Sequence, residues 1–447
     1  MGMRAGFIAV AMASQFFISR VSAGSEIELL INMLHENGTV SDVQYGRLTA
    51  ELEQNKKQNQ QLQKQLDEKL AEATKPSDVD VQVKGGLRVS TRDDAFSTEL
   101  GGRLQIDAAS YGGDPAMGDG TEVRRAYLRL QGTMYHDWGY RLQYNFANTG
   151  SNGKGIVDAY IDYKGFNYLN LRVGHFKEPF TLHEATSDNF VTFTERALLA
   201  AFSPGRTIGA MASHVQSDLT WAIGVFGDSV DKKEGSNDED WGASARVTVA
   251  PINETGRLIH LGLAANYRDS GEAGTVRFKQ APETRVSGTN IVDTGLIMDT
   301  KDVMKLGVEL AGVWGPLSAQ AEYISTSVNR NGLNDVDFDG WYVETGYFLT
   351  GESRQYKNGK FTRPKPFSNI GEDGTGAWQL ALRYSTIDLN DGMIDGGETD
   401  AMTVGLNWYP TPTLRFTANY VDVLEIDGGP FDRQEPRILQ VRSQWAF

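Results

Sequence analysis

Beyond about residue 80, apolar and polar side chains alternate along much of the chain. In YRLQYNFA (140–147), the even-numbered positions are apolar or aromatic until Phe146, and the positions between them are polar. The same alternation recurs in AWQLALRYS (377–385) and AMTVGLNWYP (401–410). A period of two is that of a β-strand. Strands of about ten residues that often end in Trp or Tyr are typical of membrane-spanning β-barrels.

Counting such segments predicts an all-β fold, a sixteen-stranded antiparallel transmembrane β-barrel over 96–447. An even number places both ends of the barrel on one side of the membrane. The last segment, RILQVRSQWAF ending at Phe447, looks like the C-terminal strand signature of bacterial outer-membrane proteins. Val81–Ser90 would add a seventeenth strand, so we place it in a lead-in spanning 76–95. The predicted strands begin near residues 96, 122, 139, 156, 169, 206, 219, 240, 257, 302, 317, 338, 376, 399, 414 and 436.

Short and long connections alternate between these strands, as expected for periplasmic turns and extracellular loops. The third long connection, 178–205, includes most of FKEPFTLHEATSDNFVTFTER, which is too polar for a buried strand and too long for a tight turn. Because the lumen of so large a barrel holds water, we expect this loop to fold inward and constrict the pore. Gly351–Thr375 is basic and long, yet falls on the periplasmic side. It either docks under the barrel as an exit guide for anions or is a solvated loop, and we favour the second.

The N-terminal part has a different pattern. Arg4, the apolar run Gly6–Ile18 and a small residue at Ala23 predict a signal peptide over 1–23, and the run is short for the alternative, a membrane anchor helix. Residues 24–75 have a helical period that Gly38 interrupts. We predict a periplasmic helical segment and a coiled coil that makes the protein an oligomer; a solvated helix or linker is the alternative. The predicted coiled-coil seam comprises Leu48, Leu52, Asn55, Asn59, Leu62 and Leu66.

Composition narrows the function. A mean hydropathy of −0.39 excludes a helical membrane protein, and the absence of cysteine excludes disulfides and thiolate metal sites. A formal charge of −15 argues against nucleic acid as a partner. The six histidines lie in no catalytic motif, so we expect neither an enzyme nor a cofactor. His175, His183, Glu178 and Glu184 could in principle bind a metal, but ordinary loop polarity explains them, and we predict no metal site.

Three blocks of the sequence resemble the phosphate-selective porin family, porins O and P. They are RRAYLRLQGTMYHDWGYRLQYNFA, VGHFKEPFTLHEATSDNFVTFTERALLAAFSPGRTIG and GAWQLALRYSTIDLNDGMIDGG with VGLNWYPTPTLRF. The resemblance implies a trimeric outer-membrane barrel that passes small anions through a narrow eyelet without catalysis. It also implies that wall arginines, and lysines near the inward loop, guide the anion.

The motifs that carry the resemblance supply candidate pore residues. Strand alternation points Arg103, Arg125, Tyr127 and Arg129 into the lumen, where cations attract anions. Alternatively, the arginines pair with wall carboxylates at 107, 158 and 162 and stiffen the barrel. The resemblance implies that Asp158 balances the arginines and accepts a hydrogen bond from protonated phosphate. The resemblance also assigns Arg124, which is next to Arg125, and the hydroxyl groups of Thr186 and Ser187 to the pore.

The loop departs from the phosphate-selective pattern. Where that pattern has a lysine two residues before the hydroxyl pair, this chain has Glu184, and Asp188 and Glu195 add further negative charge. The loop region contributes Lys177, His183 and Arg196, but no dense basic cluster. We therefore expect an eyelet of mixed charge and a porin for passive diffusion of small hydrophilic solutes, with anions such as phosphate as permeants.

Three rival functions remain open from the sequence. The coiled coil could tether the outer membrane to peptidoglycan or to a periplasmic partner through residues 24–75. A barrel-embedded hydrolase would need a nucleophile beside a base, and a secreted soluble β protein would not need lipid. We favour the porin, surrounded by outer-membrane lipid and assembled as a homotrimer.

Overall fold

The computed structural model describes residues 26–73, 79–83, 85–113, 117–147, 154–230, 239–271 and 274–447. The signal peptide predicted at 1–23 lies outside these ranges. The chain divides into two compact units, Met1–Asp78 and Val79–Phe447. Within the described ranges, no helix is both long and apolar enough to cross a membrane.

The described part of the first unit is a pair of helices, α1 (26–36) and α2 (Asp42–Ala73). Gly38 follows α1 with a φ of 68°, a conformation that suits glycine at the end of a helix. The helices contact each other through the Tyr45 hydroxyl, which donates to Asn32 Oδ1 at 2.8 Å. Leu62 and Leu66, in the predicted coiled-coil seam, are exposed on α2. The coiled coil itself stays a prediction.

The second unit is a closed antiparallel barrel, as the sequence predicts. Sixteen strands of the described chain form it, and the last strand closes it by pairing Arg437–Ala446 with Gly112–Arg103 of the first. Two short strands, β1 (Val79–Val83) and β2 (Leu87–Thr91), form a hairpin in the predicted lead-in, and β2 pairs with the start of the first barrel strand. The barrel strands are β3 (Ser97–Gly112), β4 (Gly120–Met134), β5 (Trp138–Asn145), β6 (Gly155–Phe166), β7 (Leu169–Lys177), β8 (Arg206–Val215), β9 (Leu219–Phe226), β10 (Gly242–Glu254), β11 (Arg257–Asp269), β14 (Thr300–Trp314), β15 (Leu317–Arg330), β16 (Val336–Phe348), β19 (Ala377–Asp391), β20 (Ile394–Thr411), β21 (Leu414–Asp427) and β22 (Arg437–Ala446).

The strands are apolar outside and polar inside. Leu142 is 50% exposed on the outer face of β5, whereas Asn145 on its inner face is 1% exposed. Near the end with the short turns, Trp378 and Trp408 stack at 5.4 Å, and Trp408 stacks on Phe416 at the same distance. An outer apolar band bordered by aromatic rings is what lipid requires of a membrane barrel.

Two of the long loops fold into the lumen. The third loop, L3 (178–205), contains the short helix α3 (Leu182–Ala185) and a 3₁₀ turn (Leu198–Phe202), and it folds inward as predicted. The fifth loop, L5 (270–299), contributes the short strands β12 (Lys279–Gln280) and β13 (Val292–Asp293). Phe202 of L3 and Phe278 of L5 are buried against each other, with ring centres 5.5 Å apart. An apolar core therefore occupies one side of the lumen, and the water-filled path runs along the opposite wall.

The basic segment 351–375 corrects our favoured interpretation. Only its second part, 365–375, is a mostly exposed loop as we favoured. The first part instead forms the hairpin β17 (Tyr356–Lys357) and β18 (Lys360–Phe361), whose tip enters the lumen from the short-turn end. Phe361 is buried, and the Gly359 carbonyl accepts a hydrogen bond from Arg246 Nη2 at 2.9 Å. Buried aromatic contacts offset the cost of bringing a charged segment into the barrel.

Candidate functional site: the constricted pore

L3 is held in the lumen by polar contacts with the barrel wall. Glu178, its first residue, accepts hydrogen bonds from Ser244 Oγ at 2.5 Å and from Asn266 Nδ2 at 2.8 Å, and it pairs with Arg268. On the opposite wall, Arg415 donates to the Val191 carbonyl at 2.6 Å. Because buried loop carbonyls need donors, the wall supplies guanidinium groups where L3 runs without secondary structure.

The acidic residues of L3 pair with cations. Glu184 lies 2.7 Å from Lys177 Nζ and 3.4 Å from Arg196. Asp188 bonds to Arg196, and its carboxylate lies 3.5 Å from Arg103 Nη1. Burial alone would raise the pKa of Asp188, but Arg196, followed by Arg125, holds it well below its usual range. The carboxylates of the loop are thus ionised and partly cancel the wall cations.

A β-bulge turns two consecutive arginines inward. Gln105 pairs with Arg125 but Ile106 pairs with Val123, so Arg124 is an extra residue in β4. Arg124 and Arg125 are 3% and 4% exposed, although strict alternation would place one of them against lipid. Arg124 bonds to both oxygens of Glu195, at 2.8 and 3.1 Å.

Two cavities meet at the constriction. The upper cavity, about 210 Å³, lies on the side of the long loops, and the lower cavity, about 420 Å³, lies on the short-turn side. Four residues line both cavities and define what we call the eyelet: Tyr127, Lys177, Asp188 and Arg206. The eyelet thus carries two cations and one carboxylate beside a tyrosine.

Positive charge increases from the upper cavity to the lower one. Among the described residues, six cations and four carboxylates line the upper cavity, against nine cations and three carboxylates in the lower. Arg172 pairs with Asp162 behind the lining at 2.7 Å, and Arg246 with Glu309 at 2.6 Å. Lys360 and Arg363 have no carboxylate within 4 Å in the described chain. The cations of the lower cavity are Arg103, Arg129, Arg141, Arg172, Lys177, Arg206, Arg246, Lys360 and Arg363.

Comparison with known proteins decides the family. The sequence model of the family described as phosphate-selective porin O and P matches residues 98–447. The chain belongs to this family. It is similar to Porin O of Pseudomonas aeruginosa, with 33% identity over 391 residues that cover 78% of this chain and 87% of that protein. An uncharacterised protein of Caulobacter vibrioides is 31% identical over 366 residues, 77% of this chain and 72% of its own.

Solved porins share the fold of this family member. An anion-selective porin from Comamonas acidovorans superposes with a TM-score of 0.52 and 12% identity, over 79% of this chain and all of that one. A loop-deletion mutant of the Vibrio cholerae outer-membrane protein OmpT gives a TM-score of 0.50 at 12% identity, with the same coverage. Together with the family match, the barrel makes this protein an outer-membrane porin, a channel and not an enzyme.

Most of the predicted pore residues of this porin do reach the lumen. Ser187 lines the lower cavity. Thr186, in contrast, is buried away from both cavities, and its carbonyl accepts from Arg196 at 2.9 Å. Arg129, in the lower cavity, pairs with Glu99 at 2.7 Å, and Asp158 pairs with Arg206 at 2.9 Å.

The arginine pairs differ from the alternative that we considered. The wall carboxylate Asp107 bonds to Arg442, at 2.7 and 2.6 Å. The predicted Arg103, Arg124 and Arg125 instead face the L3 carboxylates Asp188 and Glu195. The wall arginines of this porin therefore hold the loop as well as face the pore.

Sequence reasoning missed several functional side chains of this porin. Arg206, at the start of β8, belongs to the eyelet, and Glu283 of L5 reaches the upper cavity and bonds to Arg383. Arg206 stands in the second block that carries the family resemblance, at GRTIG, but was not singled out there; Glu283 stands in no motif. Alternation along RTIGAMASHV (206–215) would place Arg206 on the same face as the exposed Ile208, so it gave no signal for a position in the pore. No signal marks Glu283 within its irregular loop either.

Proposed function

We propose that this porin allows passive diffusion of small hydrophilic anions, phosphate among them, with a weak preference over cations. The observation that carries the proposal is the excess of cations along the lower cavity. Among the described residues, nine cations face three carboxylates in the lining, and six when the partners Glu99, Asp162 and Glu309 behind it are included. The description of the family and the name of its relative Porin O support anions as permeants. In a water-filled lumen, such cations attract anions and repel cations.

At the eyelet, an anion meets donors on both sides. Lys177 and Arg206 offer charged N–H groups, and guanidinium groups bind oxyanions through paired hydrogen bonds. Asp188 and the neighbouring Glu184 oppose this attraction, because both are ionised beside the path. We infer an eyelet of mixed charge, which favours anions weakly and does not hold phosphate tightly.

A phosphate titration of the chloride current tests this inference. The purified porin is placed in a planar bilayer in KCl, and phosphate is added at constant ionic strength. The mixed-charge eyelet predicts a modest, graded reduction of the current. Complete block at low phosphate would contradict it and would mean that the wall cations dominate. A current that does not respond to phosphate would remove phosphate from the permeants.

We further propose that the porin is a homotrimer with its N-terminal residues in the periplasm. Membership of the family supports the trimer. β3 begins at Ser97 at the short-turn end, which in such barrels faces the periplasm, and this supports the location of the preceding residues. The exposed Leu62 and Leu66 of α2 fit a coiled coil between copies or a contact with a periplasmic partner. Chemical cross-linking in intact cells distinguishes a trimer, expected here, from a monomer.

A further inference from the structure

The two segments that enter the lumen from opposite sides of the membrane contact each other behind the eyelet. Leu182 in α3 of L3 and Phe361 in β18 belong to one buried apolar cluster, at 0% and 1% exposure, with Tyr356 packed against it. L3 therefore does not rest on the barrel wall alone. Part of its support comes from the segment 351–375, which arrives from the periplasmic end.

One wall carboxylate connects all the inward segments. Glu344 of β16 accepts a hydrogen bond from Thr192 Oγ1 of L3 at 3.0 Å. The same carboxylate lies 3.7 Å from Arg354 of the periplasmic segment and 3.7 Å from Arg383. Arg383 in turn donates to the Glu195 carbonyl of L3 at 3.1 Å and pairs with L5. Glu344 thus contacts L3 and the periplasmic segment directly, and it is linked to L5 through Arg383.

Arg354 occupies this junction from the periplasmic side. Its Nη1 donates to Gln320 Oε1 at 2.7 Å, and its guanidinium lies 3.6 Å from the centre of the Phe361 ring. Its side chain is 5% exposed and that of Glu344 is 2% exposed. Removing Arg354 leaves the buried Glu344 with Arg383 as its remaining cation, so the carboxylate is less well compensated and is drawn towards Arg383 or hydrated. Either change acts on Thr192 and hence on L3.

We propose that Arg354 is a positioning residue for the eyelet, acting through Glu344 and the Leu182–Phe361 contact to hold L3 at its observed distance from the wall. The proposal rests on the proposed pore path, in which L3 sets the width of the constriction. The periplasmic segment then controls how easily a solute crosses the eyelet from outside, although no residue of that segment belongs to the eyelet itself.

The test measures passage through the eyelet by labelling a thiol below it. The chain has no cysteine, so Ser213→Cys, on the β8 wall of the lower cavity, introduces a single target away from L3. A small uncharged, hydrophilic thiol reagent is added on the long-loop side of a planar bilayer that holds the porin, so that it must cross the eyelet to reach the thiol. Arg354→Met in this background is expected to raise the labelling rate about two- to thirtyfold, the range spanned by mutations within a coupled network. Lys357→Met, an exposed lysine of the same hairpin, is the matched control and should leave the rate unchanged.

Two further variants keep the result interpretable. Arg354→Lys retains the charge and should restore most of the slow labelling, which a purely destabilising effect would not predict. If Arg354→Met fails to assemble, Thr192→Val removes the same connection from the L3 side and should raise the rate as well. Equal rates in the parent, the Arg354 variant and the Thr192 variant would overturn the proposal. Because labelling does not depend on ion selectivity, a porin without anion preference could still show the predicted acceleration.

Discussion

The charge at Glu184 should set the ion selectivity of the pore. Its carboxylate lies 2.7 Å from Lys177 Nζ, one of the four eyelet residues, so Glu184→Gln leaves that cation uncompensated. A unit charge about 7 Å from a permeating ion changes the energy of that ion by about 0.6 kcal/mol in water. Screening at about 0.1 M salt reduces this to about 0.3 kcal/mol.

The change acts on both ions in opposite directions. An anion gains what a cation loses, so the chloride-to-potassium permeability ratio should rise about threefold in Glu184→Gln. Glu184→Lys changes the charge by two units and should raise the ratio about sevenfold by the same conversion. Both values are expected from the reversal potential of the purified porin in a planar bilayer under a KCl gradient.

Controls separate this local effect from a general change in charge. Glu254→Gln removes an exposed carboxylate at the end of β10, where it pairs with Arg257 at the start of β11, and should leave the permeability ratio unchanged. The effect of Glu184→Gln should also shrink at high salt. A ratio unaltered in both Glu184 variants, or shifted towards potassium, would refute our account of the eyelet charge.

Three further predictions concern the lumen and the N-terminal helices. Phe202→Ala opens a void between L3 and L5, and the lost packing costs about 3–5 kcal/mol. L3 should then be looser, and single-channel conductance and current noise should rise. Wild-type conductance in this variant would show that the Phe202 contact does not hold the loop. Desolvation in the lumen, and then Arg141, lowers the pKa of Lys360 to about 8, so the anion selectivity of the pore should fall between pH 7 and 9 as this lysine loses its charge. The anion selectivity of Lys360→Arg should fall less over the same range. An identical pH profile in the two proteins would contradict the role of Lys360. Deleting residues 24–74 should leave single-channel conductance unchanged if these helices only tether or trimerise the porin, and a lost or altered pore would show that they contribute to the channel.

The barrel could be predicted because its signal is repeated and local. Each strand carries its own alternation, and lipid outside with water inside imposes the same rule on every strand. Leu142 and Asn145 illustrate this, since one faces outward and the other lies in the lumen. The inward fold of L3 followed from its length, its polarity and the size of the lumen.

The remainder depends on contacts between distant parts of the chain. Arg124 faces the lumen because of a bulge, which alternation cannot reveal. The basic segment 351–375 looked like a solvated loop because five cations dominate its composition; the burial of its first part rests on Phe361 meeting Leu182 of L3. The partners of Arg103 and Arg125 lie in L3, and a linear sequence does not show which carboxylate a folded loop brings near.

The reversal potential of the wild-type porin under a KCl gradient tests the central claim most directly. The purified protein is inserted into a neutral planar bilayer, with the concentrated salt on one side, so that lipid charge does not contribute. Our account predicts a modest chloride preference, because the cations of the lower cavity and the eyelet outnumber the carboxylates there. A preference for potassium would contradict it and would mean that Glu184, Asp188 and the acidic outer loops govern permeation.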